Sequence, residues 1–368
     1  MTANAWFERL QRFPLHQIAI PAPTPTPTPT PAPTPTGRVA WRQAGGGPAV
    51  THVLLHGIGS SSANWLAQLE AASNSPAVRV LAWDAPGYGG SDALIEHSPA
   101  AADYAQRLWD WLDELAAHAE PPGSASGAAR PNKQVPITLV GHSLGCLMAA
   151  SAAQQAPGRI RQLILLSPAQ GYAQAPAAER EKKLQDRLDL LARAGPAGMA
   201  QLRGAAMLGP HGDADQVAQV QHIMAQIDPH GYTQAARMLA GGDLLADLSR
   251  FAALAQQAPQ AQQAPQAPQA PQATQARLAV STPQRIIVAS GSADTITPPA
   301  GCQQAAAHIR APYISLGAVG HACAIEAADE VTRLIGLAAP LPMQVESTLS
   351  AAPLSCPQSP GPRRLHET

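Results

Sequence analysis

The chain has 368 residues, 45% hydrophobic and 13% charged, and its 24 basic and 25 acidic residues leave a net charge of −1. That hydrophobic content supports a sizeable globular core. The balanced charge, with no Lys/Arg cluster, argues against a nucleic-acid partner, because phosphate binding is driven by clustered cations that release counterions.

Residues 1–36 form an N-terminal segment. Its first thirteen residues carry Trp6, Glu8 and Arg9 and lack the apolar run of a signal peptide. No stretch of the chain approaches the apolar length of a membrane span, so no membrane partner is expected. Residues 21–35 repeat Pro-Thr or Pro-Ala, a composition that sets an extended polyproline spacer with no face to bury. From residue 37 the pattern changes. Short apolar or β-branched runs at 50–55, 78–83, 137–140, 163–166, 286–289 and 313–316 alternate with Ala/Leu-rich helical stretches. Runs that are apolar throughout suit parallel strands buried on both faces, and their alternation with helices implies right-handed crossovers in one sheet. The expected α/β core therefore comprises 37–168 and 277–338. Residues 169–251 hold several helical stretches and no convincing strand, so they are expected to be a helical cap inserted between two core strands. Residues 120–134 and 256–275 are Pro-, Ala- and Gln- or Gly-rich and read as surface loops, which absorb length at small entropic cost. Residues 252–276 are the low-complexity loop of this division, and 339–368 a disordered tail.

The residues 137–140 lead into Gly141-His142-Ser143-Leu144-Gly145 and then into a helix rich in Ala, Leu and Met. A serine squeezed into the sharp turn between strand and helix needs neighbours without side chains, so Gly141 and Gly145 propose Ser143 as a nucleophile. A serine hydroxyl reacts poorly until a base takes its proton, and the base works best when a carboxylate holds its tautomer. Of the 12 histidines, His321 lies in the small-residue loop Gly317-Ala318-Val319-Gly320-His321-Ala322 beyond the run 313–316. That is the strand end at which open α/β sheets bind ligands. Asp294 follows the run 286–289 in the same manner, with a turn-forming role as its alternative. The run 163–166 ends in Ser167-Pro168, without a carboxylate. The resulting order is serine, aspartate, histidine.

Charge developing on an attacked carbonyl needs preset donors. Leu144 offers its backbone N–H at a helix start, and Ile58, in His56-Gly57-Ile58-Gly59-Ser60-Ser61 after the run 50–55, is chosen for the second, with Gly59 as its alternative; His56 reads as a loop anchor. That loop lacks the Gly-Lys-Ser/Thr of a nucleotide site, and no cofactor is expected. The cysteines Cys146, Cys302, Cys323 and Cys356 lack metal spacing, so no metal is expected, and a chain this long needs no disulfide staples. A reducing, cytoplasmic setting follows. Cys146 and Cys323 lie near Ser143 and His321 in sequence but read as packed filler.

With these pieces assembled, the chain resembles the α/β-hydrolase superfamily. Four motifs carry the likeness: His56-Gly57-Ile58-Gly59-Ser60-Ser61, Asp84-Ala85-Pro86-Gly87-Tyr88-Gly89-Gly90-Ser91-Asp92, Gly141-His142-Ser143-Leu144-Gly145, and the Asp294 and His321 loops. The resemblance implies a mostly parallel twisted sheet flanked by helices with a helical cap, and a structural role for the second motif. It is similar to bacterial hydrolases of the 3-oxoadipate enol-lactonase type, a likeness of scaffold from which no substrate follows. Serine at 143 excludes the aspartate-nucleophile branch, leaving acyl transfer to water on a small ester or lactone. Carbon–carbon hydrolysis of a vinylogous diketone uses the same triad, and a slowly turning receptor on this fold is the alternative from another class. Cap residues Met199, Met207, Leu208, Met224, Met238 and Leu239 are candidates for an apolar pocket, with internal packing expected for most. Carbon–carbon hydrolases that this chain resembles usually have polar and arginine residues facing the site from the cap; Arg187, Arg193, Arg203 and Arg237 could supply one, with surface solvation the expected fate of each.

Overall fold

Each central strand sends alternate side chains into two separate apolar layers. In the computed structural model, which describes residues 3–20, 37–118, 135–257 and 286–338, Val53 and Leu55 enter one layer and Leu54 the other. Leu81 and Trp83 oppose Val80 and Ala82, and Leu163 and Leu165 oppose Ile164 and Leu166. Strand side chains alternate with period two, so burial on both faces is what makes these runs apolar throughout.

The strands are β1 (His16–Ile20), β2 (Gly37–Ala44), β3 (His52–Leu55), β4 (Val80–Asp84), β5 (Ile137–His142), β6 (Ile160–Leu166), β7 (Ile286–Ser290) and β8 (Tyr313–Ser315). They form one eight-stranded sheet in the order β1-β2-β4-β3-β5-β6-β7-β8. The six strands from β4 to β8 are parallel throughout. β1, at the edge, and β2, between β1 and β4, join antiparallel at this end of the sheet, and neither was expected from the sequence. β1 alternates exposed and half-buried residues, and β2 carries Arg38, Arg42 and Gln43. Such edge strands keep one solvated face and lack the uniformly apolar signature of buried parallel ones.

The helices are α1 (Ala3–Gln11), α2 (Leu66–Ser73), α3 (Ala101–His118), α4 (Gly145–Gln155), α5 (Ala177–Arg203), α6 (Ala214–Ala225), α7 (Pro229–Gly241), α8 (Leu244–Gln257), α9 (Pro299–His308), α10 (Cys323–Glu326) and α11 (Ala328–Leu334). α3 buries Tyr104, Ala105, Leu108, Trp109, Trp111 and Leu112, the single stripe of a helix with one face to solvent. α4 is buried along nearly its whole length, because α3, α8 and the sheet enclose it; its Gly, Ala and Ser residues keep it thin enough to fit. α2, α10 and α11 cover the opposite face, where Gln68 donates to the Ala324 and Ala328 carbonyls.

The segment 169–251 carries α5, α6, α7 and the first part of α8. α5 is broken at Gly195, whose φ is 63°, followed by Pro196. Two hydrogen bonds of 2.8 Å from Gln234 to the Leu94 and Glu96 carbonyls tie α7 to the loop after β4. α8 packs along α4, so the last helix of the insertion rests on the core. The proline-rich run 21–35, the loop 120–134, all but two residues of 256–275 and the tail 339–368 lie outside the described residues.

Trp83 is fully buried and stacks on Trp111 with ring centroids 6.2 Å apart, while Trp111 meets Trp41 at 5.5 Å. Replacing Trp83 with Ala leaves a large void between sheet and α3, with an expected loss of about 3–5 kcal/mol of stability. Urea unfolding followed by circular dichroism measures it; a loss under about 1 kcal/mol would mean that the layers close over the gap.

Candidate active site

β5 runs straight into Ser143, whose φ of 53° is left-handed, a conformation that non-glycine residues adopt only where surrounding structure enforces it. The enforcement is visible on both sides. A Cβ on Gly145 would lie 2.5 Å from the Leu55 carbonyl oxygen, and one on Gly141 would lie 2.6 Å from the Gly145 carbonyl oxygen. Only bare backbone lets α4 sit this close to β3 and β5. The end of β6 completes the brace, since Ser143 N–H donates to the Leu166 carbonyl at 2.9 Å.

Asp294 and His321 converge from the ends of β7 and β8. His321 Nδ1 lies 2.9 Å from Asp294 Oδ2, and both residues are almost fully buried, at 2% and 3% exposure. The other carboxylate oxygen, Oδ1, accepts the Ile296 and Thr297 N–H groups at 2.9 Å each. Burial alone would raise this carboxyl. The His321 hydrogen bond and charge, with the Thr297 N–H, outweigh it and hold Asp294 at about 2. Asp294 is therefore an anion that fixes the His321 tautomer, leaving Nε2 as the free ring nitrogen. The Thr297 hydroxyl, 2.8 Å from Asp294 Oδ2, is a member of this network that the sequence did not single out, because a threonine in a turn carries no distinguishing pattern.

Two other histidines support the site without sharing its chemistry. His142 Nε2 lies 2.8 Å from the His321 carbonyl oxygen, so that nitrogen carries the proton and donates. Burial, then the neighbouring His321, pushes His142 down to about 3, and it stays neutral while pinning the His321 backbone. His56 Nε2 accepts the Ala85 N–H at 3.0 Å, so its proton is on Nδ1, 2.9 Å from the Gly57 carbonyl. It anchors its loop, as its position suggested. The Asp84–Asp92 motif is structural in the same way. Asp84 accepts the N–H groups of Ser62 and Gly90, and the Ser91 hydroxyl donates to the Asp84 carbonyl at 2.6 Å.

Ile58 and Leu144 both line the cavity that contains Ser143. Among the described residues, neither backbone N–H has a hydrogen-bond acceptor. The Ile58 loop reaches this position because a Cβ on Gly57 would stand 2.8 Å from Ser143 Cβ, too close for any other residue.

The cavity measures about 280 Å³ and is bounded by the elbow, His321, the Ile296–Thr297–Pro298 turn and the helical insertion. Met199, Met207, Met224 and Leu239 line it, so four of the six apolar cap candidates reach the cavity, Met199 and Leu239 while also packed in the hydrophobic core. Arg187 and Arg203 line it too, against the expectation of surface solvation. The break at Gly195–Pro196 turns both halves of α5 toward the cavity, and no residue pattern in a highly charged helix marks which arginines face inward. Cys146, Cys302 and Cys323 are free and buried, and burial pushes the thiols up, to about 11 for Cys302 and about 12 for Cys323; Cys356 lies outside the described residues. No group of metal-ligating side chains is present among the described residues, and no helix there is long and apolar enough to cross a membrane.

Comparison with known proteins meets this geometry. The dihydrolipoyllysine-residue acetyltransferase component of the acetoin cleaving system from Cupriavidus necator is 32% identical over 133 residues, which is 36% of this chain and 29% of that protein. An uncharacterised protein of Mycobacterium tuberculosis is 35% identical over 131 residues, 35% of this chain and 32% of its own. The chain thus spans about a third of the length of the curated relatives it matches. Among solved structures, a thermophilic esterase from Thermogutta terrifontis superposes with a TM-score of 0.63 at 19% identity, over 87% of this chain and 96% of that one. The enol-lactonase from Burkholderia xenovorans does so at 0.58 and 19% identity, over 81% and 95%. These likenesses show a shared fold. Residues 53–334, from β3 to the end of α11, match the Alpha/beta hydrolase family, and the chain belongs to that family.

Proposed function

We propose that this chain is a serine hydrolase that cleaves a small carboxylic ester or lactone through an acyl-enzyme. The observation that carries the reading is the buried His321–Asp294 pair, 2.9 Å apart, at the wall of a cavity that Ser143 also lines. Ser143 Oγ attacks the carbonyl carbon while His321 Nε2 takes the hydroxyl proton. The carbonyl π pair moves onto oxygen, where the Ile58 and Leu144 N–H groups receive the charge. Collapse of the tetrahedral species expels the alkoxide, protonated by His321. Water, deprotonated by the same nitrogen, then releases the acid and restores Ser143. Asp294 steadies the imidazolium and keeps its own charge throughout. Helices α5–α7 act as the cap over a small-molecule substrate, and the unpaired buried cysteines suit a reducing cytoplasm.

Activity on p-nitrophenyl esters of increasing acyl length tests the chemistry. Wild type is expected to turn them over, and Ser143→Ala to lower kcat on the order of 10⁴-fold or more; turnover that survives the substitution would sink the mechanism.

Acid stability tests the Asp294 assignment. Its carboxyl titrates at about 2 in the folded chain against an ordinary 3.8. A depressed folded value adds stability that is complete above the unfolded value and lost as pH falls from about 4 toward 2. The increment is about 2 kcal/mol, and Asp294→Asn should remove that segment of the pH–stability curve measured by chemical denaturation. An unchanged slope in the variant would overturn the assignment.

His142→Leu removes the donor to the buried His321 carbonyl, at an expected cost of about 1–3 kcal/mol. Thermal unfolding of the variant reads it directly, and an unshifted midpoint would show that the His321 loop is held without this bond.

A further inference from the structure

Beside the catalytic cavity lies a second, much smaller chamber of about 20 Å³, and Ser143, His321, Ile58 and Gly59 line both. Apolar side chains make up most of the rest of its wall, Val220 and Ile223 of α6 among them. Two buried polar side chains, Asn64 and His142, stand in that wall, at 5% and 3% exposure. Asn64 Nδ2 and His142 Nδ1 are enclosed, and among the described residues neither has a hydrogen-bond partner. Because His142 Nε2 donates to the His321 carbonyl, its Nδ1 is a bare acceptor, whereas Asn64 Nδ2 is a donor. Buried polar atoms are normally paired, with protein or with ordered water. A donor and an acceptor on the wall of one small chamber complement a single water molecule, which accepts from the first and donates to the second. The size agrees, since one water needs roughly 10–15 Å³ of such space. Gly57 stands beside the acceptor and the nucleophile together: a Cβ there would lie 2.8 Å from Ser143 Cβ and 3.4 Å from His142 Nδ1. Asn64 and Ile325 also line a wide groove bordered by α1, α2 and α6, so the chamber lies between that groove and the site.

We propose that this chamber holds the water that hydrolyses the acyl-enzyme, and that Asn64 and His142 are its positioning residues. The inference rests on the ester-hydrolase reading and deepens it. An acyl group on Ser143 occupies the main cavity, so water arriving from that side has to pass the substrate. A water in the chamber already stands beside Ser143 and His321, and the groove replaces it from the other side. Asn64 Nδ2 donates to one of its lone pairs and His142 Nδ1 accepts one of its hydrogens. One hydrogen then remains for His321 Nε2 and one lone pair for the acyl carbon, an orientation fixed before reaction begins. In the step itself the water proton passes to His321 Nε2, the water lone pair forms the new C–O bond, and the carbonyl π pair moves onto oxygen. Collapse breaks the bond between the acyl carbon and Ser143 Oγ, the serine takes the proton back from His321, and the free acid leaves. His142 and Asn64 stay neutral throughout, so neither competes with His321 for the proton.

The test separates the second half of turnover from the first. p-Nitrophenyl acetate is hydrolysed in the presence of methanol, which is too large for the chamber and competes for the acetyl-enzyme through the main cavity. The ratio of acetate to methyl acetate is read by proton NMR. That ratio is set after acylation, so a loss of stability or a displaced His321, which slows both nucleophiles alike, does not move it. Asn64→Leu keeps the bulk of the side chain and removes the donor. The variant is expected to lower the ratio on the order of 10-fold or more, while still releasing its burst of p-nitrophenol and accumulating acetyl-enzyme visible by intact mass. A crystal structure of the full-length wild type is expected to show one ordered water within hydrogen-bond distance of both Asn64 Nδ2 and His142 Nδ1. Wild-type crystals without that water would overturn the proposal, independently of how the variant folds. An unchanged ratio in Asn64→Leu, with the wild type hydrolysing the ester, would overturn it too and leave the hydrolase reading standing. A wild type that releases no p-nitrophenol would instead overturn the hydrolase reading, and the role of the water with it.

Discussion

The close approach of α4 to β3 at Gly145 is the constraint on which the site depends. With the Leu55 carbonyl oxygen only 2.5 Å from where a Cβ would stand, the chain has no room to leave β5 gradually. It must turn within Gly141–Gly145, and the turn forces Ser143 to positive φ. The same approach places the start of α4 beside the loop after β3, so Ile58 and Leu144 share a cavity wall with the serine. A serine at positive φ, two backbone N–H groups without an acceptor among the described residues and a helix start thus come from one packing decision, made by residues with no side chains. The strain is offset by the brace from β6 and by burial of nearly all of α4 among its neighbours.

Four buried histidines show how environment assigns different roles to one residue type. His52 bridges Thr51 and the Ile335 carbonyl, and burial lowers it to about 4. His56 accepts from one backbone N–H and donates to a carbonyl. His142 donates to the His321 carbonyl. In all three, burial outweighs the neighbouring charges, lowers the ring pKa and keeps the ring neutral. His321 differs from them in being hydrogen-bonded to a carboxylate, Asp294 Oδ2 at 2.9 Å. A base needs such a partner, since a ring that is merely buried cannot hold the proton it takes. Carboxylate proximity, more than exposure or position, separates a proton shuttle from a structural ring.

The parallel strands and their helices were legible because burial on both faces writes an unmistakable apolar run, as at 137–140 and 163–166. β1 and β2 escaped notice because an edge strand such as His16–Ile20 keeps polar residues on its solvated side. Ser143, Asp294 and His321 could be nominated because each lies just past a recognisable strand, and strand ends in such a sheet share one rim. Ser143 and His321 line a single cavity, with Asp294 hydrogen-bonded to His321 behind it. Arg187 and Arg203 could be named only among four candidate arginines, and which of the four face inward was not legible. Whether Arg187 faces solvent or substrate depends on how α5 breaks and where α7 sits, a tertiary outcome to which a helix carrying Glu, Lys, Arg and Asp in close succession gives no clue. Thr297 and His142 were hidden for a related reason, because their contacts span 24 to 179 positions of sequence.

The helical insertion and the histidine loop are mechanically joined. The Ala322 N–H donates to the Met207 carbonyl at 2.8 Å, and the Glu326 carboxylate holds the N–H groups of Gly209 and Gly320 together. Met207 lines the cavity while Gly320 immediately precedes His321, so the insertion cannot lift at this end without disturbing His321. At the other end, Tyr172 N–H is bonded to the Leu239 carbonyl and Leu244 N–H to the Gln170 carbonyl, tying the two roots of the insertion side by side. Opening for substrate must therefore fall on what lies between these ties, where α5 breaks at Gly195 and where no neighbouring atom lies within 4 Å of a Cβ built at that glycine. The segment free to yield is also the one that carries the two cavity arginines on either side of its break.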